Sequence, residues 1–416
     1  MKKVVTLSIL LLTGLILSQL LPLIVDNYKT LSHFIKIGTM VCLSFIMIHV
    51  GYEFEIKKNK LKEYGFDYLI AFTSATFPWI FVALYFVFFL MPDNMSNYDM
   101  WTKSLLAARF AAPTSAGVLF SMLAAAGLAS TWMFKKTRIL AIFDDLDTVI
   151  LMIPLQMLII GFKLQLIFII VVMFILIWLS WKYLHIINLS IKWKNVIFYS
   201  IIISGIAEII YFSSKIIDET VSVHIEVLLP AFVLGTMISK QFNKIKFSSG
   251  KSIDVLDEPK EKRVSFIISS IFMILVGLSM PLLEGVSSNS DVTTKVNEQT
   301  MDSYVIGSSN PNIFDHAGEN FSWKIIFIHV MIVTLISNIG KIVPAFVYRN
   351  EANWKERLSV AVAMFPRGEV GAGVLIISMS YGISGMVVTV SMLSLALNLL
   401  LTGVFIVIVK KLINES

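Results

Sequence analysis

The sequence predicts an all-α polytopic membrane protein with about twelve transmembrane helices. Three observations carry that prediction. The first is composition: 56% of residues are hydrophobic and only 15% are charged, where a soluble protein carries about a quarter charged residues. The second is patterning. Apolar runs of about 20 residues, enough to cross a bilayer core of about 30 Å, recur from end to end, and the mean hydropathy is +0.80. The third is charge placement, because the basic residues collect in alternate connections between those runs.

The apolar runs lie near 4–25, 35–51, 66–91, 104–127, 138–161, 163–183, 196–214, 219–239, 264–285, 324–348, 357–381 and 384–410. The first follows Met1-Lys2-Lys3 and imitates a secretory signal. It is longer than a signal core and no small-x-small cleavage site follows, so a retained helix is expected. The second holds Cys42, the only cysteine, which excludes a disulfide framework and a thiolate metal site.

With the N-terminus inside, the even-numbered connections should be cytoplasmic and basic. They hold Lys57, Lys58, Lys60 and Lys62, then Lys135, Lys136 and Arg138, then Lys182, Lys192 and Lys194. Lys240, Lys244, Lys246, Lys251, Lys260, Lys262 and Arg263 follow, then Arg349, Lys355 and Arg357, and the tail carries Lys410-Lys411. The odd-numbered connections carry almost none. Both termini are therefore expected in the cytoplasm. The basic segment 241–263 reads as a cytoplasmic linker, and the Ser-, Asn-, Asp- and Thr-rich segment 286–323 as an external loop. No nucleotide-binding or regulatory domain is expected after the last span. The net charge of +6 lies between apolar runs and does not point to nucleic acid.

The fifth run carries the main chemistry. Asp144, Asp145 and Asp147 sit between Ile139-Leu140-Ala141-Ile142-Phe143 and Thr148-Val149-Ile150-Leu151-Met152-Ile153. Carboxylates at membrane depth are costly and by default mark an ion pathway. On a helix Asp144 and Asp145 point about 100° apart, and Asp147 lies about 60° from Asp144 on the other side. Thr148 and Gln156 add oxygens to the same half. Two close carboxylates cannot both ionise cheaply in a low dielectric, which suits a proton carrier. A hard cation such as Na+ takes oxygen ligands and can replace the proton there. The competing reading makes these aspartates caps of a helix starting at the membrane edge. That leaves an apolar helix from Thr148 to about Ile160, short for a span.

Lys341, in Ser337-Asn338-Ile339-Gly340-Lys341, offers a counter-charge from the tenth run. A lysine there must pair, deprotonate or reach the interface. An ion pair with Asp144 is the sharper expectation, against snorkelling toward the side of Arg349. Two runs look broken: the fourth at Pro113-Thr114-Ser115, the eleventh at Pro366-Arg367-Gly368-Glu369. Each proline removes a backbone donor. Breaks at matching positions of two halves, here spans 3–5 and 10–12, point to a midplane site in transporters; the plainer reading is two tolerated kinks. Arg367 and Glu369 read as a structural ion pair. Arg109, Glu208, Glu226, His224 and His329 read as pairing or interface residues. No HExxH, GxSxG, Walker loop or clustered His/Cys is present, so neither an enzyme nor a transition-metal site is expected.

These residues resemble the cation:proton antiporter superfamily, especially its prokaryotic Na+/H+ antiporters. The likeness covers most of the transmembrane chain and is sharpest in four places. These are Gly51-Tyr52-Glu53-Phe54-Glu55, the broken Pro113-Thr114-Ser115 helix, Phe143-Asp144-Asp145, and Gly340-Lys341 with Pro366-Arg367-Gly368-Glu369. The double Asp with the tenth-span lysine looks like the electrogenic subset. The resemblance implies inverted five-helix repeats with two broken helices crossing. It implies a transport core near 66–161 and 324–410, a dimerising scaffold near 1–51 and 196–285, and a place in a bacterial cytoplasmic membrane. The chain departs from the family in Ser115, where many members carry Asp, in Arg109, and in the extra Asp147.

The expected function is exchange of Na+ or Li+ for protons in pH homeostasis, with no cofactor. Asp145 would bind the cation and Asp144 would alternate between a proton and Lys341. Thr114 and Ser115 would complete the site. The alternatives are a K+/H+ antiporter, a sodium-coupled symporter of an organic solute, and a non-transporting sensor, which would need an output domain.

Overall fold

The computed structural model describes residues 2–25, 28–54, 61–90, 98–160, 164–217, 227–246, 252–280, 323–380, 383 and 386–415. The expected external loop 286–323 lies outside the described residues apart from its last position, and Glu226 and His224 lie outside them entirely. The fold is helical, with one small hairpin. In chain order the helices are α1 (Lys2–Ile24), α2 (Tyr28–Glu53), α3 (Leu61–Tyr85, continued by a π-helical turn Phe86–Leu90), α4 (Tyr98–Ala108, continued by a 3-10 turn Arg109–Ala111) and α5 (Ala116–Ala125). Then come α6 (Trp132–Ile160), α7 (Leu164–Lys182), α8 (Trp193–Ile217), α9 (Leu228–Met237) and α10 (Pro259–Leu278). The last five are α11 (Trp323–Gly340), α12 (Val343–Val347), α13 (Trp354–Ala363), α14 (Glu369–Ser380) and α15 (Met386–Asn414).

Among the described residues seven helices are long and apolar enough to cross a membrane. That is fewer than the apolar runs of the sequence, and the reasons are physical. Helix α6 is long but charged, carrying Lys135, Lys136, Arg138 and three aspartates. Helices α13 and α14 are halves of one interrupted run, each too short to cross alone.

The chain divides into two compact units. The first holds Met1–Ser32, Lys62–Phe162 and Val276–Ser416. Here α13, α11 and α1 pack along α15, and α14 packs on the 3-10 turn. Small side chains permit this closeness. Ala107, Ala108, Ala111, Ala112 and Ala116 are all buried, with Leu106, Phe110, Leu119, Leu140, Leu375 and Leu395 filling the space between helices. At Gly340 a Cβ would lie 2.5 Å from Pro78 N, so glycine is what lets α11 touch α3. Outward faces are apolar: Val5, Ile9, Leu12 and Ile16 form an exposed stripe on α1, as a surface in lipid requires.

The second unit holds His33–Leu61 and Lys163–Leu275. Helix α9 packs on α7 and α8. The Ser180 and Thr236 hydroxyls meet at 2.7 Å, and Lys36 pairs with Glu208 at 2.7 Å. Of the segment 241–263, read as a linker, residues 241–246 and 252–263 are described and carry secondary structure. Strands β1 (Lys244–Lys246) and β2 (Ser252–Asp254) pair antiparallel, Asp254 accepts from the Tyr52 hydroxyl at 2.8 Å, and Asn243 accepts from Ile191 N at 2.9 Å.

Candidate functional site

The first unit contains two interruptions, and each follows from local sequence. After α4 the 3-10 turn reaches Ala111. Pro113 has no N–H to continue the ladder, and Ser115 is extended at φ −70°, ψ 92° before α5 begins. After α13, which opens on an Asn353/Glu356 capping box, the chain leaves the helix at Phe365. Pro366 again lacks a donor, and α14 restarts at Glu369.

The two interruptions are hydrogen-bonded to each other. Ser115 N donates to Pro366 O at 2.9 Å. Thr114 Oγ1 donates to Met364 O at 3.1 Å. Arg367 Nε donates to Ala111 O at 2.9 Å. Backbone groups left over by each broken helix are thus satisfied by the other, as buried backbone requires. The approach is close: a Cβ at Gly368 would lie 2.8 Å from Ser115 Oγ.

Helix α6 brings Asp144 to the place where the two breaks meet. Lys341 Nζ, just beyond α11, donates to Asp144 Oδ2 at 2.6 Å and to Thr114 Oγ1 at 2.8 Å. Thr114 N also donates to Asp144 Oδ2, at 2.8 Å. Both members of the ion pair are fully buried, so Lys341 does not snorkel. Asp144 Oδ1 has no hydrogen-bond partner among the described residues. Thr148 does not turn its hydroxyl proton to the site, because Oγ1 donates to Asp144 O at 2.8 Å. Asp145 is buried beside Asp144 on α6.

Arg367 is also buried. Besides Ala111 O it donates through Nη1 to Asn338 Oδ1 at 2.6 Å and Phe365 O at 3.1 Å, and through Nη2 to Ser337 O at 2.8 Å. A guanidinium is the side chain with a fork that serves so many oxygens. It places positive charge where carbonyls at helix ends concentrate negative charge. The Glu369 side chain lies outside the described ones, so the expected Arg367–Glu369 pair is not described either.

Three neighbours stand out that sequence reasoning passed over: Tyr68, Trp79 and Asn338. The Tyr68 hydroxyl donates to Asp147 Oδ1 at 2.8 Å. Arg109 Nη2 donates to Asp147 O at 2.8 Å, and its guanidinium lies 4.7 Å from the Trp79 ring centroid. Asn338 holds Arg367. Their only signal is a polar or aromatic residue inside an apolar run, which is common in membrane helices. Of the bland candidates, Glu208 pairs with Lys36 and His329 Nδ1 lies 2.7 Å from the Tyr85 hydroxyl. Among the described residues no group of three or more His, Cys, Asp or Glu is arranged to hold a metal ion.

A mainly helical chain with membrane-length apolar helices, and a buried carboxylate–ammonium pair between two interrupted helices, is of the membrane ion-carrier class. Residues 2–412 match the family described as sodium/hydrogen exchanger, transmembrane, and the chain belongs to that family. The resemblance to cation:proton antiporters is borne out by this match. The protein is an integral membrane protein of a family that exchanges cations for protons. No match was found among curated proteins.

Proposed function

We propose that the protein exports Na+ or Li+ against proton entry, electrogenically, by alternating access across a bacterial cytoplasmic membrane, with about twelve spans in inverted five-helix repeats and both termini inside. The transport core is 66–161 and 324–410, which falls within the first compact unit. The scaffold is 1–51 and 196–285, and the working form is a homodimer.

The observation that supports this best is the ammonium of Lys341 on Asp144 and Thr114 at the crossing of two broken helices. In the proton-loaded state Asp145 carries a proton and Lys341 stays charged on Asp144. Na+ arriving at Asp145 and Asp144 displaces both protons, because the ammonium and the cation compete for the same carboxylate. Thr114, Ser115 and carbonyls freed at Pro113 and Pro366 complete the oxygen shell. Asp147, Arg367 and Glu369 support it. Two protons against one Na+ moves one net charge per cycle.

The test uses purified protein in liposomes with an acid interior and a pH-sensitive dye inside. Na+, Li+ and K+ are added outside in turn. Na+ or Li+ should alkalinise the interior, and Asp145→Asn should not respond. A response to K+ alone changes the substrate and keeps the mechanism. Normal transport by Asp145→Asn removes the proposed carrier.

A further inference from the structure

We propose that Asp147 is a third cation-holding carboxylate, a transit station one helical turn from Asp144, positioned by Tyr68 and tempered by Arg109. The inference deepens the exchange reading above and rests on it.

Asp147 is 1% exposed. Its Oδ1 accepts from the Tyr68 hydroxyl, and its Oδ2 has no hydrogen-bond partner among the described residues. Asp144 is in the same situation: Oδ2 takes two donors from Lys341 and Thr114, while Oδ1 has no partner among the described residues. Residues three apart on a helix share a face, with Cβ atoms about 5–6 Å apart. Two open carboxylate oxygens therefore lie along one side of α6, a turn apart. A buried carboxylate oxygen left without a donor is costly unless a proton or a cation meets it, which is what an exchange station needs. A hard monovalent cation of the alkali class is what such oxygens hold.

The surroundings suit passage rather than storage. Tyr68 is 36% exposed, so its bond to Asp147 joins the buried carboxylate to the outer edge of the unit. Arg109 is fully buried, donates to the main-chain oxygen of Asp147 and stacks on Trp79. Its charge offsets that of Asp147. An ion station must attract enough to admit and bind weakly enough to release. Asp147 and Arg109 then form one device: a carboxylate supplied with its own counter-charge.

The test measures apparent KM for Na+ and maximal exchange rate in proteoliposomes. Asp147→Asn should raise KM about tenfold, the effect falling mainly on KM, and Tyr68→Phe about threefold. Arg109→Gln should lower both KM and maximal rate, because the cation is then held too tightly. Opposite signs of the KM change for Asp147→Asn and Arg109→Gln are what a purely structural role does not produce. If Arg109→Gln does not fold, Tyr68→Phe and Asp147→Asn still decide. Unchanged KM in both, with wild type active and Asp145→Asn inactive, overturns this inference alone. Wild type inactive with every cation overturns the exchange reading and this one with it.

Discussion

At the residue scale the site is set by what a buried charge must have around it. Lys341 has two described acceptors, and Thr114 supplies one of them while also tying its own hydroxyl to Met364 O. Thr114→Val keeps the shape and the N–H bond to Asp144 but removes both hydroxyl bonds. The bond from the Lys341 ammonium is worth about 1.5–3 kcal/mol and the neutral one to Met364 O about 0.5–1.5 kcal/mol. Exchange should fall about tenfold, and a wild-type rate would show that the hydroxyl is incidental. Arg367→Lys is a sharper case. An ammonium has no fork with which to reach Ala111 O, Asn338 Oδ1 and Ser337 O together, so about 3 kcal/mol of stability should be lost. Thermal unfolding in detergent measures it, and an unchanged midpoint contradicts the role. Asp144, Lys341 and Thr114 were legible in the sequence because charge and hydroxyl inside an apolar run need a reason. Tyr68, Trp79 and Asn338 were not, since a phenol, an indole and an amide are ordinary in such helices. Only the fold shows which carboxylate or guanidinium they meet.

At the element scale the interruptions matter more than the helices. Both were legible, because proline removes a donor wherever it stands. What the sequence does not reveal is that Ser115 N, Thr114 Oγ1 and Arg367 Nε cross-link the two breaks. Long-range pairing leaves no periodic trace. The hairpin β1–β2 inside the basic segment 241–263 was hidden for a related reason, since lysine-rich polar chain reads as linker whether or not it pairs. Two glycines give a contrasting prediction. A side chain at Gly368 meets Ser115 Oγ at 2.8 Å, whereas one at Gly65 on α3 meets nothing within 4 Å. Gly368→Val should push the breaks apart and abolish exchange while the protein still reaches the membrane. Gly65→Ala should exchange normally and gain about 0.5–1 kcal/mol from helix propensity. Equal activity in the two would mean that the closeness of the crossing has no role in transport.

At the scale of the whole molecule the balance of buried charge is the controlling fact. Around the two breaks the buried Asp144, Asp145 and Asp147 stand with the buried Arg109, Lys341 and Arg367, and this set of six sums to zero when fully ionised. Arg109 and Arg367 keep their charge throughout, because a guanidinium does not give up its proton in a protein. Protonating Asp145 therefore leaves the set one unit positive. Replacing that proton and the one on Lys341 by a single Na+ returns it to zero. The two loaded forms differ by one charge, and membrane voltage acts on that difference with about 2.3 kcal/mol per 100 mV. Without a pH gradient, a potential of about 60 mV should then support a tenfold Na+ gradient. Lys341→Ala removes one of the two exchanged protons and leaves the loaded forms equally charged. Its Na+ gradient at steady state should no longer follow a potential clamped with potassium and a carrier. Measuring that gradient in wild type and variant at several clamped voltages decides the matter. A slope of tenfold per about 60 mV in wild type and none in Lys341→Ala fits a lysine that carries the second proton. Identical slopes would leave Lys341 as a structural partner of Asp144 and move the second proton elsewhere in the buried set.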